Sequence, residues 1–168
     1  DSLLIGLENE INKKEFYDIQ KEERIKFLVE KSKKKGSLKE RYKINNEIYK
    51  EYLYYNFDNA IKYIENNIQL AYELKNDTFI NESKLKLGLL LVNTGRYKES
   101  IDILNEIVRT TLAESLLDNY YAAYNEGYSG LAYSTAVNSS KSNYLQLYLT
   151  YRDSLYSRLN PDSEKALR

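Results

Sequence analysis

The chain contains no cysteine, no histidine, no methionine and no tryptophan. Losing Cys and His together removes disulfides, thiolate nucleophiles, imidazole bases and the usual zinc and haem ligands. No Gly-rich phosphate loop, GxSxG elbow, Walker motif or dinucleotide fingerprint is present. An acid-based hydrolase would need two carboxylates converging in a cleft. The densest groupings, Glu8 with Glu10, Glu22 with Glu23 and Glu47 with Glu51, sit among lysines on what reads as the wet face of a helix. The expectation is a non-catalytic chain that uses no cofactor and no metal. Absence of cysteine does not choose a compartment. No apolar run is long enough to span a bilayer, and no charged-then-apolar leader opens the chain. With Asp at position 1 and no Met anywhere, the sequence reads as a processed protein or an excised piece.

Charge of one sign is missing too. Lys plus Arg and Asp plus Glu number 25 each, so no global field draws in nucleic acid, and little repulsion opposes a homodimer. The run KSKKKG, Lys31 to Gly36, places cations at a helix C-terminus with a glycine to stop it, as the helix dipole favours. With a single Pro and six Gly among 168 residues, long helices are permitted almost throughout. The 18 tyrosines fall at helical spacing, which points to core packing before ligand binding.

What is present is an echo at a forty-residue offset. Phe57, Ala60, Ile61, Ile64 and Ile68 return as Tyr97, Ser100, Ile101, Leu104 and Val108, aromatic on aromatic, small on small, aliphatic on aliphatic. A fixed period of this length marks helical modules that bury their faces only by stacking. Around it, residues 1–36 read as an N-terminal capping helical segment with a bend near Lys13 to Glu15. Residues 37–159 read as three antiparallel helix pairs, and 160–168 as the start of a further helix capped at Asn160-Pro161. Pair one opens at Ser37, with Glu40 in capping-box position, and turns at Tyr55 and Asn56. Its second helix ends at Asn76-Asp77, with Asp77 placed to cap the next. Pair two runs from Thr78 through a turn at Thr94-Gly95-Arg96 to about Thr110. Pair three spans a helix from about Ala113 to Ala136, a longer turn around Asn138-Ser139-Ser140, and a helix carrying Tyr144, Leu147, Tyr148, Tyr151 and Leu155 at an offset of forty-seven.

In pair two, Leu87, Gly88, Leu91, Gly95, Tyr97, Ser100, Leu104 and Ile107 stand at the spacing of the tetratricopeptide repeat (TPR) pattern. Pair one matches in its second helix through Phe57, Ala60 and Ile64, but Ile48 stands where Gly belongs. Pair three keeps Gly130-Leu131 and Tyr144. The chain thus resembles a TPR domain, which implies an all-α fold, a right-handed α-α superhelix of antiparallel helix pairs. The flanks KKEFYDIQKEERIKFL and YRDSLYSRLNPDSEKAL resemble the N-terminal region of membrane-anchored bacterial proteins labelled transcriptional regulators. That resemblance implies an extracytoplasmic sensory or interaction region, with DNA binding left to another part. A cytoplasmic assembly adaptor without a signalling part is the alternative. The TPR resemblance also implies that the first helix of each pair lines a concave groove for a peptide, protein or small-ligand partner. Tyr42, Asn46 and Tyr49 from pair one, Glu82, Lys86 and Asn93 from pair two, and Tyr124, Asn125 and Tyr128 from pair three would reach it. Tyr offers rigid area with a polar tip, and Asn satisfies a backbone amide.

Overall fold

The computed structural model describes residues 2–33, 36–136 and 138–159, and among them the secondary structure is entirely helical. Seven α-helices follow in order: α1 (Ser2–Lys33), α2 (Leu38–Tyr52), α3 (Phe57–Glu73), α4 (Asp77–Asn93), α5 (Tyr97–Asn105), α6 (Leu117–Ser134) and α7 (Asn138–Leu159). Two compact units divide the chain, Asp1–Tyr63 and Ile64–Arg168, with the boundary inside α3. The further helix expected at Asn160-Pro161 lies outside the described residues.

In the first unit α1 packs against α2. The expected bend near residues 13–15 does not interrupt α1, which runs continuously to the lysines of its last turn. Ile25 and Leu28 on α1, and Tyr42, Ile48 and Tyr49 on α2, are buried. Ser37 starts α2 as a full capping box: its hydroxyl accepts from the Glu40 N–H at 3.3 Å, and the Glu40 carboxylate accepts from the Ser37 N–H at 2.8 Å. That reciprocal contact holds the Glu40 carboxyl below its ordinary range, the Ser37 backbone bond first and its hydroxyl second.

The second unit carries the well-formed repeat. α4 packs on α5, α5 on α6 and α6 on α7, while α4 also meets α6. Small residues permit the close approaches. The Ser100 hydroxyl donates to the Gly88 carbonyl at 2.8 Å, and Leu104 fills the space a Gly88 side chain would need. Tyr97 lies in the same way over Gly130, and Ile101 over Gly127. The repeat pattern's small positions are therefore the sites of helix-to-helix contact. Asn67 on α3 is fully buried, and neither of its amide atoms has a hydrogen-bond partner among the described residues. It is a polar interruption of an otherwise apolar stripe formed by Ile64, Ile68 and Ala71.

Helix ends explain where the boundaries depart from expectation. Asn76, not Asp77, caps α4: it is extended (φ −115°, ψ 98°) and its side chain accepts from the Phe79 N–H at 2.9 Å. α3 and α4 close the same way. The Asn76 N–H donates to the Ala71 carbonyl at 3.1 Å, and the Arg96 N–H to the Leu91 carbonyl at 2.9 Å, each following a residue with positive φ. After α4 that residue is Gly95, at 76°, as expected; after α3 it is Lys75, at 51°. A lysine in the left-handed region carries a steric cost that glycine avoids. Lys75→Gly is expected to stabilise the fold by about 0.5–1 kcal/mol, read as a higher midpoint in urea unfolding. An unchanged or lower midpoint would remove the strain argument.

α5 stops at Asn105, short of the expected Thr110. The run Val108 to Thr111 is mostly β-branched and disfavours helix. Buried Asn81 of α4 then claims it, accepting from the Val108 N–H at 3.4 Å and donating to the Thr111 hydroxyl. Two 3₁₀ turns, Arg109–Thr111 and Glu114–Leu116, carry the chain to α6, later than the expected start at Ala113. The long turn at Asn138-Ser139-Ser140 is not formed either, because α7 begins at Asn138 and only residues 135–137 separate it from α6. Tyr97 is the first residue of α5, whereas six residues of α7 precede Tyr144. The change of offset from forty to forty-seven is therefore extra helix ahead of Tyr144, not an elongated loop.

Candidate functional site in the second unit

Between α6 and α7 the tyrosines make a stacked core. Tyr124 and Tyr151 lie face to face, with centroids 4.3 Å apart and planes within 7°. Tyr128 stacks on both at 6.0 and 5.7 Å, and Tyr120 meets Tyr124 edge-on at 5.0 Å. Their polar tips are placed as well as their rings: the Tyr124 hydroxyl donates to the Asn105 side chain at 3.0 Å. Burial raises the phenol pKa values of Tyr124 and Tyr128 and pushes Tyr151 up to about 12, because phenolate cannot be solvated there. At the far end of α7, Arg158 bonds Asp118 at 2.7 Å and Glu114 at 2.8 Å, tying α7 to the start of α6.

A second polar element is internal. The Lys84 ammonium is buried, 2.8 Å from Glu106 and 5.6 Å from the centre of the Tyr72 ring. Burial pulls its pKa down, but hydrogen bonds to Glu106 and Tyr72 more than offset this, so it stays charged above the usual lysine range. This cation is fully used inside the unit.

An open cavity of about 680 Å³ lies where α4, α6 and α7 converge. α4 contributes Val92 and Asn93, and Tyr97 closes one side from the first turn of α5. α6 supplies Asn125, Glu126, Ser129, Gly130, Tyr133 and Ser134, and α7 supplies Tyr148. Glu126, Ser129, Gly130 and Tyr133 follow i, i+3, i+4, i+7 spacing, so they form one stripe of α6. Asn125 is positioned by its own amide, which donates to the Tyr148 carbonyl at 3.2 Å. Tyr133 stands 79% exposed, with its ring open to solvent.

Of the nine groove residues expected from sequence, the structure brings two together, Asn93 and Asn125, on this cavity. Glu82 and Lys86 are half-buried on α4 and do not line it. Tyr124 and Tyr128 are buried in the α6–α7 core instead of facing a groove. In the first unit Tyr42 and Tyr49 are likewise buried, and Asn46 is half-buried. Burial pushes the Tyr49 phenol up to about 12. These four tyrosines are core residues, because an amphipathic ring on a helix gains most by burying its body. Sequence reasoning missed Glu126, Ser129, Tyr133 and Tyr148. The stripe through Glu126 and Tyr133 was the available signal, two residues and therefore roughly 200° around α6 from the Tyr124–Tyr128 row.

Successive helix pairs packed through Gly88 under Leu104 and Gly130 under Tyr97 define a tetratricopeptide-type helical repeat protein. The chain belongs to the family described as the SusR N-terminal TPR domain, which matches residues 11–168. No curated protein and no solved structure matches the chain. TPR domains are generally non-catalytic scaffolds that bind peptide or protein partners. Among the described residues, no helix is long and apolar enough to cross a membrane.

Proposed function

We propose that this chain is the sensory or protein-interaction region of a bacterial transcriptional regulator, anchored in the membrane with the repeats on the extracytoplasmic side. It receives a peptide segment of its partner in the α4–α6–α7 cavity. The carrying observation is the cavity itself, a polar and aromatic recess on the first-helix side whose Asn93, Glu126 and Ser129 side chains make no hydrogen bond among the described residues. Unspent amide, hydroxyl and carboxylate groups beside tyrosine rings suit an extended backbone, which offers one donor and one acceptor per residue. Occupancy would bias the packing of α6 on α7, and that is the mechanical signal passed on toward the regulatory part.

Ser129→Trp tests the reading by filling the recess from its floor. Short peptides selected from a displayed random library on the native chain are expected to lose at least about tenfold in affinity for the variant. Helicity and thermal midpoint should stay near native, since Ser129 is only half-buried. Equal binding by both proteins would move the site elsewhere. In cells, the same substitution in the chromosomal gene is expected to abolish inducible transcription of the regulated genes, and unchanged induction would defeat the sensor assignment.

A further inference from the structure

We infer that the segment seated in this cavity presents an arginine, with its guanidinium held between the Glu126 carboxylate and the open face of Tyr133. This rests on the reading of the cavity as a peptide site and names the side chain it selects.

Charge and unspent hydrogen-bonding capacity select this side chain. Among the residues that line the cavity none is a Lys or Arg, and Glu126 is the only one charged at neutral pH. Six acids elsewhere in this unit are matched within the fold: Glu106 by Lys84, Glu99 by Arg96, Asp102 by Lys98, Asp153 by Arg152, and both Glu114 and Asp118 by Arg158. Glu65, Glu73, Asp77 and Glu82 share with Glu126 the lack of an ion pair among the described residues, but only Glu126 lines the cavity. Glu126 makes no ion pair or hydrogen bond among the described residues, and it is exposed. Neighbouring groups add acceptors. Asn125 spends its amide N–H on the Tyr148 carbonyl and so leaves its own oxygen toward a ligand. A carboxylate or phosphate would find no cation in the lining and would face Glu126; Arg152, 6.0 Å from the centre of the Tyr148 ring, is paired with Asp153.

Geometry favours a long planar cation. Glu126 and Tyr133 stand seven residues apart on one stripe of α6, roughly 10 Å along the axis. Between them lie Ser129 and the Tyr97 ring, which covers Gly130. A guanidinium carries five donors in a fixed plane, and its flat face stacks on tyrosine. One such side chain can therefore satisfy the carboxylate and lie against the ring, with its methylenes passing over Ser129 and the Tyr97 ring. Lysine would meet the charge without the plane.

The test uses three pools of short random peptides, fixed at a central Arg, Gln or Glu, with anisotropy measured on the full chain. The Arg pool is expected to bind at least about tenfold more tightly than the Gln pool at low salt, with the gap narrowing as salt rises. Glu126→Gln should close that gap by weakening the Arg pool far more than the Gln pool. Tyr133→Leu should reduce Arg-pool binding more than Gln-pool binding. Arg and Gln pools binding alike, but still lost in Ser129→Trp, would overturn the arginine assignment and leave the peptide site standing. Tightest binding by the Glu pool would overturn it as well. Binding of no pool would overturn both readings.

Discussion

Gly130→Ala is expected to destabilise the second unit by about 2–3 kcal/mol, because the new methyl has nowhere to go. Its position falls within the Tyr97 ring, meeting three ring carbons together, so relief needs the whole aromatic plane to shift. The neighbouring glycines differ in kind. A methyl at Gly127 meets the tip of Ile101 at 2.8 Å, a flexible aliphatic end, whereas one at Gly88 meets a methyl and the branch carbon of fully buried Leu104 at 2.7 and 2.9 Å. Gly127→Ala should therefore lose distinctly less than Gly130→Ala. Pairing the substitutions isolates the cause: once Tyr97→Ala has removed the ring, Gly130→Ala should lose little further, giving a coupling on the order of 2 kcal/mol in a double-mutant cycle. Urea unfolding followed by helicity measures all three. Additive losses, or a Gly130→Ala midpoint equal to the native one, would show that ring and glycine are not in the contact described.

Alkaline pH is expected to unfold the protein cooperatively in the interval between ordinary and buried tyrosine ionisation. Tyr49 and Tyr151 hold their protons to about 12 in the fold, burial being the first cause for each. In the unfolded chain they lose them near the usual value of about 10. Above that point the unfolded state binds fewer protons than the native one, so stability falls with rising pH; below it the contribution is complete. Each of the two residues contributes about 2–3 kcal/mol across this window, and Tyr124 and Tyr128 are shifted in the same direction, also by burial. The Tyr49 loss falls on the first unit and the Tyr151 loss on the second, each a sizeable part of a stability that is on the order of 10 kcal/mol for an ordinary domain. Helicity, followed together with tyrosinate absorbance from neutral to strongly basic pH, should fall in step with the last part of the absorbance rise, the part that belongs to the buried rings. Tyrosinate formation completed while helicity remains native would refute burial as the controlling term.

The parts of this fold that could be read from sequence are those written in short-range chemistry. Ser37 with Glu40, and Gly95 two residues before Tyr97, each carry their meaning within one helical turn, and both do what their types require. The TPR spacing likewise survives into contacts, Ser100 on Gly88 and Tyr97 over Gly130. Misreadings arose where one residue type serves two structures. Asn138, Ser139 and Ser140 suit a turn, but they equally suit the first turn of a helix, and α7 uses them there. Lys75 carries no turn signal at all; its left-handed backbone comes from closing α3 against Asn76. The site was harder because each residue along a helix turns the face by about 100°, and a degenerate repeat leaves that phase open. Choosing Tyr124 and Tyr128 over Glu126 and Tyr133 placed the groove on a face that the structure buries.

The absence of tryptophan leaves tyrosine as the sole aromatic emitter of consequence, and the stacked cluster turns this into an instrument. Rings 4.3 to 6.3 Å apart pass excitation among themselves far faster than they emit, so light absorbed by Tyr120, Tyr124, Tyr128, Tyr144 or Tyr151 is pooled and depolarised. Tyr148 of the cavity lies on the same helix as Tyr144 and Tyr151. A ligand that re-seats α7 on α6 would break the pool and restore polarisation. The protein thus carries an unlabelled optical report of its own helix packing, readable in the native chain without adding a dye.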